Sequence, residues 1–340
     1  MVMTFKNSLL WFPLSLPIFC VDIVQRGFAT FAKATDFSIP HIHEALSIYF
    51  FILSLGVLIF GFVCDNFNAR KILLWSMIGA AVGIATLPYT ALGFGLLFGG
   101  AASLIKVAPF SAPLKLINKN EAINISPQAA AKNIAGALFT LVIAGLLTTI
   151  GWITTTTLLG LFVIACGIFV YYTVPDDKIE GWKWKIFLDL CKDWKFWMMA
   201  IYFFLMCGWY YIAIYGFFPG LVKAGYDKGT SSIIIAISFL AAGALRFVVA
   251  WIGDQKILGY KIRLPLLWIG TFGMWASIYI TPIHPITSLA LFTFMSSIHT
   301  PNYWAYCKEQ WGPTYIATVV SLGFFFMYLG AGIMYGQWSS

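Results

Sequence analysis

With 340 residues, 60% of them hydrophobic and only 10% charged, the chain falls outside the soluble classes, in which roughly 25% of residues are charged. Its net charge of +8 would suit an anionic partner such as nucleic acid, but the placement of the charges, given below, assigns that balance to membrane topology. Apolar runs near 8–31, 45–64, 72–91, 93–114, 133–151, 152–174, 196–222, 230–252, 262–281, 284–306 and 314–336 approach the ~20 residues needed to cross a hydrocarbon layer. They predict an all-α polytopic membrane protein.

The first run is too long for the apolar core of a signal peptide, and no small-residue cleavage site follows it, so it is expected to stay as a span. It carries Asp22 and Arg26, whose i, i+4 spacing lets them pair on one helix face. Ionisable groups inside a membrane are costly and face a partner or a cavity. Two readings stand: a self-neutralising pair, or Arg26 as ligand for an anionic group with Asp22 holding or releasing it by taking a proton. The following loop contains HIHE, with His41, His43 and Glu44. Three donors on one loop are a weak metal pattern; local charge or helix entry is the simpler reading, and no metal site is assigned.

The second run ends in GFVCDNFNARK (61–71), which crowds Asp65, Arg70 and Lys71 between two apolar segments. In the fourth, Lys106 has no acid within four positions, and Gly99, Gly100, Ala101 and Ala102 just before it would let another helix approach closely. A cationic ligand for substrate is the leading reading of Lys106. A pair with Asp22, or a lysine that snorkels to the interface, is the alternative. Pro109 and Pro113 free backbone groups nearby, which suits a bendable helix on a cavity. The fifth run has Gly136 and Gly145 but no Gly-Pro pair after them.

The most polar stretch, PDDKIEGWKWKIFLDLCKDWKFW (175–197), mixes Lys and Asp with Trp and Phe, as expected of a cytoplasmic connector lying along the membrane interface. In the seventh run Tyr211 and Tyr215 line a cavity or belong to an interfacial aromatic belt. The eighth leads into RFVVAWIGDQKILGYKIR (246–263), again an acid, Asp254, followed by bases. The tenth offers His299, Asn302 and Tyr303; His299 would couple proton movement by titrating near neutral pH, or donate a hydrogen bond between helices. The six cysteines show no CxxC spacing and read as small packing residues. No Walker sequence, nucleophile elbow or HExxH is present, so neither an enzyme nor a cofactor is expected.

From a cytoplasmic N-terminus, alternating loops place fifteen of the 21 Lys and Arg inside, among them Lys132 and Arg263, and only Lys33, Lys223 and Lys228 outside. That bias is the positive-inside rule, and the cell (inner) membrane is the expected location.

Asp65 and Asp254 lie 189 residues apart, with Gly61 and Ala250 four positions before them. A weak repeat at that distance is what parallel six-helix repeats leave behind. At this point the chain resembles the major facilitator superfamily of secondary transporters. That family's loop signature, roughly G-x-L-x-D-R-x-G-R-K, is met by Gly61, Asp65, Arg70 and Lys71, with departures at Val63, Asn66 and Ala69. The stretch from Arg246 to Asp254 resembles the degenerate second copy. The resemblance implies a two-bundle (6+6) fold, with an N-terminal bundle at 1–174, a connector at 175–195 and a C-terminal bundle at 196–340; the chain departs from it in having apolar runs for five helices of the second bundle and none for the family's twelfth. It further implies a cytoplasmic gate at Gly61, Asp65, Arg70, Lys71, Arg246 and Asp254, and a cavity lined by helices 1, 4, 7 and 10. The expectation is therefore a monomeric secondary transporter of a small organic anion or zwitterion. Arg26, Lys106, Tyr211, Tyr215 and Asn302 are its substrate ligands, and Asp22 and His299 its proton-coupling candidates. Similarity to the organophosphate branch is faint, since the paired arginines of helices 1 and 7 are not both present. A truncated, non-transporting or receptor-like homologue is the alternative.

Overall fold

A backbone that crosses a bilayer must satisfy its own hydrogen bonds, which leaves helices as the solution for runs of this length. The computed structural model describes residues 5–31, 42–116, 121–174, 183–257 and 260–339, and these form eleven helical passes. The first four are α1 (Phe5–Phe31), α2 (Ile42–Asn66), α3 (Ala69–Thr86) and α4 (Ala91–Leu116). The fifth joins α5 (Glu121–Leu138) through a π-helical turn (Phe139–Ile143) to α6 (Ala144–Ile150), and α7 (Trp152–Thr173) is the sixth.

A short α8 (Trp184–Leu190) precedes α9 (Trp194–Lys223), α10 (Lys228–Asp254) and α11 (Arg263–Ile280), which are the seventh, eighth and ninth passes. The tenth is α12 (Pro285–Ser297) with the first part of α13 (His299–Ser339). The rest of α13, beyond a break at Gly312 (φ 75°) and Pro313, is the eleventh. A two-residue antiparallel hairpin, β1 (Lys256–Ile257) and β2 (Tyr260–Lys261), fills the loop after α10. That hairpin is not legible in the sequence.

Four apolar stretches, Trp152–Thr173, Trp194–Lys223, Lys228–Asp254 and Pro285–Met334, are each long enough to cross a membrane. The surface they present is the reverse of a soluble protein's. Trp75, Tyr172, Trp194 and Trp251 are more than half exposed, as are Leu161, Ile237 and Phe272, which is stable only against lipid.

Small residues set the helix spacing. A Cβ on Gly99 of α4 would come to 3.1 Å from the Tyr49 carbonyl oxygen of α2, and one on Gly330 of α13 to 2.2 Å from the Phe204 carbonyl oxygen of α9. The first seven helices and the last five meet along two seams, α2 and α4 against α13, and α5 against α10. The fifth pass differs from expectation: its helix begins at Glu121, twelve residues before the apolar run. Its polar first turns are buried by neighbouring helices, Ser126, Gln128, Lys132 and Asn133 among them. Lys132 is thereby moved from a loop into the interior.

Candidate functional site

The centre of the bundle is built from charge. Asp22 and Arg26 lie one turn apart on α1, and Arg26 Nε donates to Asp22 Oδ1 at 3.2 Å. The other carboxylate oxygen, Oδ2, accepts from Lys106 Nζ of α4, 84 residues away in sequence. Arg26 Nη1 also donates to Asn133 Oδ1 of α5 at 2.5 Å, and the guanidinium sits 5.0 Å from the Tyr210 ring centroid. Lys132 points its ammonium at the face of Phe110, 4.8 Å from the centroid, and of Phe324 at 5.6 Å; a ring face attracts a cation electrostatically. Arg246 of α10 is 1% exposed, and its Nε and Nη1 have no hydrogen-bond partner among the described residues.

These groups surround a cavity of about 40 Å³ whose wall includes Asp22, Arg26, Lys132, Tyr210, Tyr211, Arg246, His299, Thr300, Tyr303 and Tyr328. That volume suits a water-sized occupant, so any metabolite requires the walls to part. Among the described residues, neither Lys132 nor Arg246 has a carboxylate partner. One buried acid, Asp22, thus faces four buried cations. A larger apolar groove of about 400 Å³ runs between α3 and α4, but its wall carries little that could recognise a solute.

Around the wall, Tyr211 accepts a hydrogen bond from Gln25 Nε2, and Gln25 Oε1 accepts from Tyr49 at 2.9 Å. His299 Nδ1 lies 2.6 Å from the Tyr202 hydroxyl, while Nε2 has no hydrogen-bond partner among the described residues.

At one end of the bundle a second cluster ties α5 to α10. The Asp254 carboxylate accepts from the backbone N–H of Ala122 at 3.3 Å and of Ile123 at 3.1 Å. Those are orphan donors at the positive end of α5. Arg263 donates through Nη2 to Asp254 and, at 3.4 Å, to Glu121, and through Nε to the Gly253 carbonyl at 3.1 Å, while its Nη1 forms an ion pair with Glu309 Oε1 at 2.5 Å.

Comparison with known sequences settles the family: the profile described as Major Facilitator Superfamily matches residues 4–335. The chain belongs to the major facilitator superfamily. It is an integral, multi-pass membrane transporter and not an enzyme. No curated protein matches it. Among solved structures, the human organic anion transporter MFSD10 (TETRAN) is similar over 97% of this chain and 93% of its own, with TM-score 0.64 and 12% identity; at that identity the likeness is one of fold.

Measured against the sequence reading, this facilitator brings Asp22, Arg26, Tyr211 and His299 together at one cavity. Lys106 stands behind the wall, spent on Asp22. Tyr215 is not on the wall and packs behind Tyr211, ring centroids 6.3 Å apart. Asn302 is also off the wall: its Nδ2 donates to the Ile298 carbonyl at 2.8 Å, and its Oδ1 occupies the space that Gly253 leaves.

Arg246, expected at the gate beside Asp254, lines the cavity, because eight residues of helix set it ~12 Å further along the axis from Asp254 at the helix end. Arg70 Nε donates to the Val174 carbonyl at 2.6 Å, a contact within the first seven helices, and Lys71 is exposed. Gly61 and Asp65 lie in α2 with side chains outside the described ones. His41 and the side chain of His43 are outside them too, and Glu44 is exposed. The sequence reading missed Lys132 as a cavity residue, and Arg263 as the partner that Asp254 shares with Glu121 and Glu309.

Proposed function

We propose that the chain is a secondary active transporter of a small organic anion, working by alternating access between two bundles, 1–174 and 196–340, joined by the connector at 175–195. The observation that carries this reading is the charge balance of the cavity among the described residues: Arg26, Lys106, Lys132 and Arg246 against Asp22 alone, all buried. Uncompensated buried charge costs several kcal/mol per ion, and an anionic solute relieves it. The proposal stands on that balance; the likeness to a protein described as an organic anion transporter extends to the fold.

In this reading Arg26, Lys132 and Arg246 hold the anion, with the Tyr210 and Tyr211 hydroxyls beside them. Asp22 and Lys106 set the charge behind them. His299 and Asp22 are the titratable groups through which proton coupling would run. The Asp254–Arg263 cluster is the cytoplasmic gate, which holds the bundles together and opens to release solute inward. The chain is a monomer in the cell (inner) membrane with its N-terminus in the cytoplasm.

A thermal-shift panel on purified protein tests this reading, using millimolar carboxylates, amino acids, sugars and amines. A ligand at one hundred times its Kd stabilises by about 2.7 kcal/mol, so carboxylates are expected to raise Tm and amines to leave it unchanged. Stabilisation by amines or sugars with none by carboxylates would sink the proposal.

A further inference from the structure

We infer that the solute is a small dianion, with its two anionic groups divided between Lys132 on α5 and Arg246 on α10, so that it bridges the two sets of helices. This rests on the anion-transport reading above and sharpens it. Asp22 already serves Arg26 and Lys106, with contacts to both, and is saturated by them. Among the described residues, the groups left over are Lys132, set against two ring faces, and Arg246, with two nitrogens lacking any acceptor.

These two leftover cations belong to different helices, and those helices form one of the two seams between the first seven helices and the last five. A monoanion neutralises one of the two charges, even where its oxygens reach both as those of Asp22 reach Arg26 and Lys106, and leaves the other uncompensated. A dianion satisfies both. Charge-assisted hydrogen bonds to arginine and lysine are about twice as strong as neutral ones, which makes the second contact decisive for affinity.

The arrangement also gives the solute a mechanical part in transport. Arg246 stands two turns before Asp254 on the same helix, and Asp254 holds the first turn of α5, the helix that carries Lys132. A dianion drawn between Lys132 and Arg246 therefore acts on the two helices that the Asp254 cluster joins. A monoanion on either cation alone does not.

The test compares succinate with succinamate, its monoamide, and with glycerol 3-phosphate, on the full-length protein by isothermal titration in detergent. Glycerol 3-phosphate separates a requirement for two carboxylates from one for double negative charge. Succinate is expected to bind about 10- to 100-fold more tightly than succinamate, and Arg246→Gln to lower succinate affinity to the succinamate level. The wild-type comparison stands even if that variant fails to fold. Equal affinities for succinate and succinamate would overturn the dianion inference and leave the anion reading in place, as would tighter binding of succinamate. Tight glycerol 3-phosphate binding with weak binding of both succinate and succinamate would keep the double charge but overturn its division between Lys132 and Arg246. No binding by any of the three at millimolar concentration would remove both.

Discussion

The carboxylate of Asp254, at the end of α10, accepts the backbone N–H of Ile123 at 3.1 Å in the first turn of α5, and its other oxygen is held by Arg263. A helix end is thus capped by an acid from another helix, and that acid is held in turn by a base. The joint is as strong as its weakest charge. Removing Arg263 takes the buried Asp254 carboxylate's cation away and leaves it beside Glu121 and Glu309, so Arg263→Ala should destabilise by about 3–5 kcal/mol, the usual cost of breaking a buried pair. Arg263→Lys should recover little, because one ammonium cannot span three carboxylates. Unfolding followed by intrinsic fluorescence measures both; full recovery by Lys would contradict the account.

At the cavity, the two kinds of charge change should act with opposite sign. Asp22→Asn removes the counter-ion of Arg26 and Lys106 and should lower stability by about 3 kcal/mol or more. Arg246→Met removes a buried cation without a carboxylate partner and should raise the ligand-free Tm while abolishing the Tm rise caused by anions, a trade of function for stability. Equal destabilisation by both variants would mean that Arg246 is a structural group.

Helix spacing gives a prediction independent of charge. A Cβ on Gly330 meets the Phe204 backbone, with the carbonyl oxygen at 2.2 Å, whereas one on Gly145 meets nothing within 4 Å. Gly330→Ala should therefore cost about 1–3 kcal/mol by overpacking, and Gly145→Ala should be neutral or slightly stabilising. A melting curve of each variant in the same detergent decides the point.

Outside the membrane, Asp227 caps α10, accepting from the Thr230 N–H at 2.9 Å and from its hydroxyl. The hydroxyl bond, then the backbone bond, hold its carboxyl below the usual carboxylate range. Because the folded value is depressed, this contribution is present above the unfolded carboxyl's pKa and is lost as pH falls through the folded one. Asp227→Asn keeps an acceptor at the cap without the charge. Its Tm should therefore fall less steeply than wild type between neutral pH and acid. Parallel slopes would show that the cap does not contribute to the acid limb.

How far the sequence reached depended on how local each signal was. Apolar runs report span number directly, and the passes lie where those runs fall except that the fifth begins twelve residues earlier, at Glu121. The pairing of Asp22 with Arg26 is readable because both sit on one helix, one turn apart. Lys106 and Asp22 are 84 residues apart, so only the packing of α4 on α1 chose between ligand and ion pair. Lys132 was hidden by its neighbours: Asn124, Ser126, Gln128 and Asn133 make the start of α5 look like a loop, although a helix with a polar inner face is what a polar cavity needs. Arg263 looked like one more basic residue beside a membrane end. Its identity as the hub of three carboxylates exists only in three dimensions.

The central claim is that the buried, net-positive cavity moves anions across the membrane. It is tested most directly by solid-supported-membrane recording on proteoliposomes, in which a jump in succinate concentration is followed as charge displacement. The account predicts a transient with succinate that is lost in Lys132→Gln, and none with a neutral sugar or an organic amine. A transient with the amine and none with succinate would contradict it.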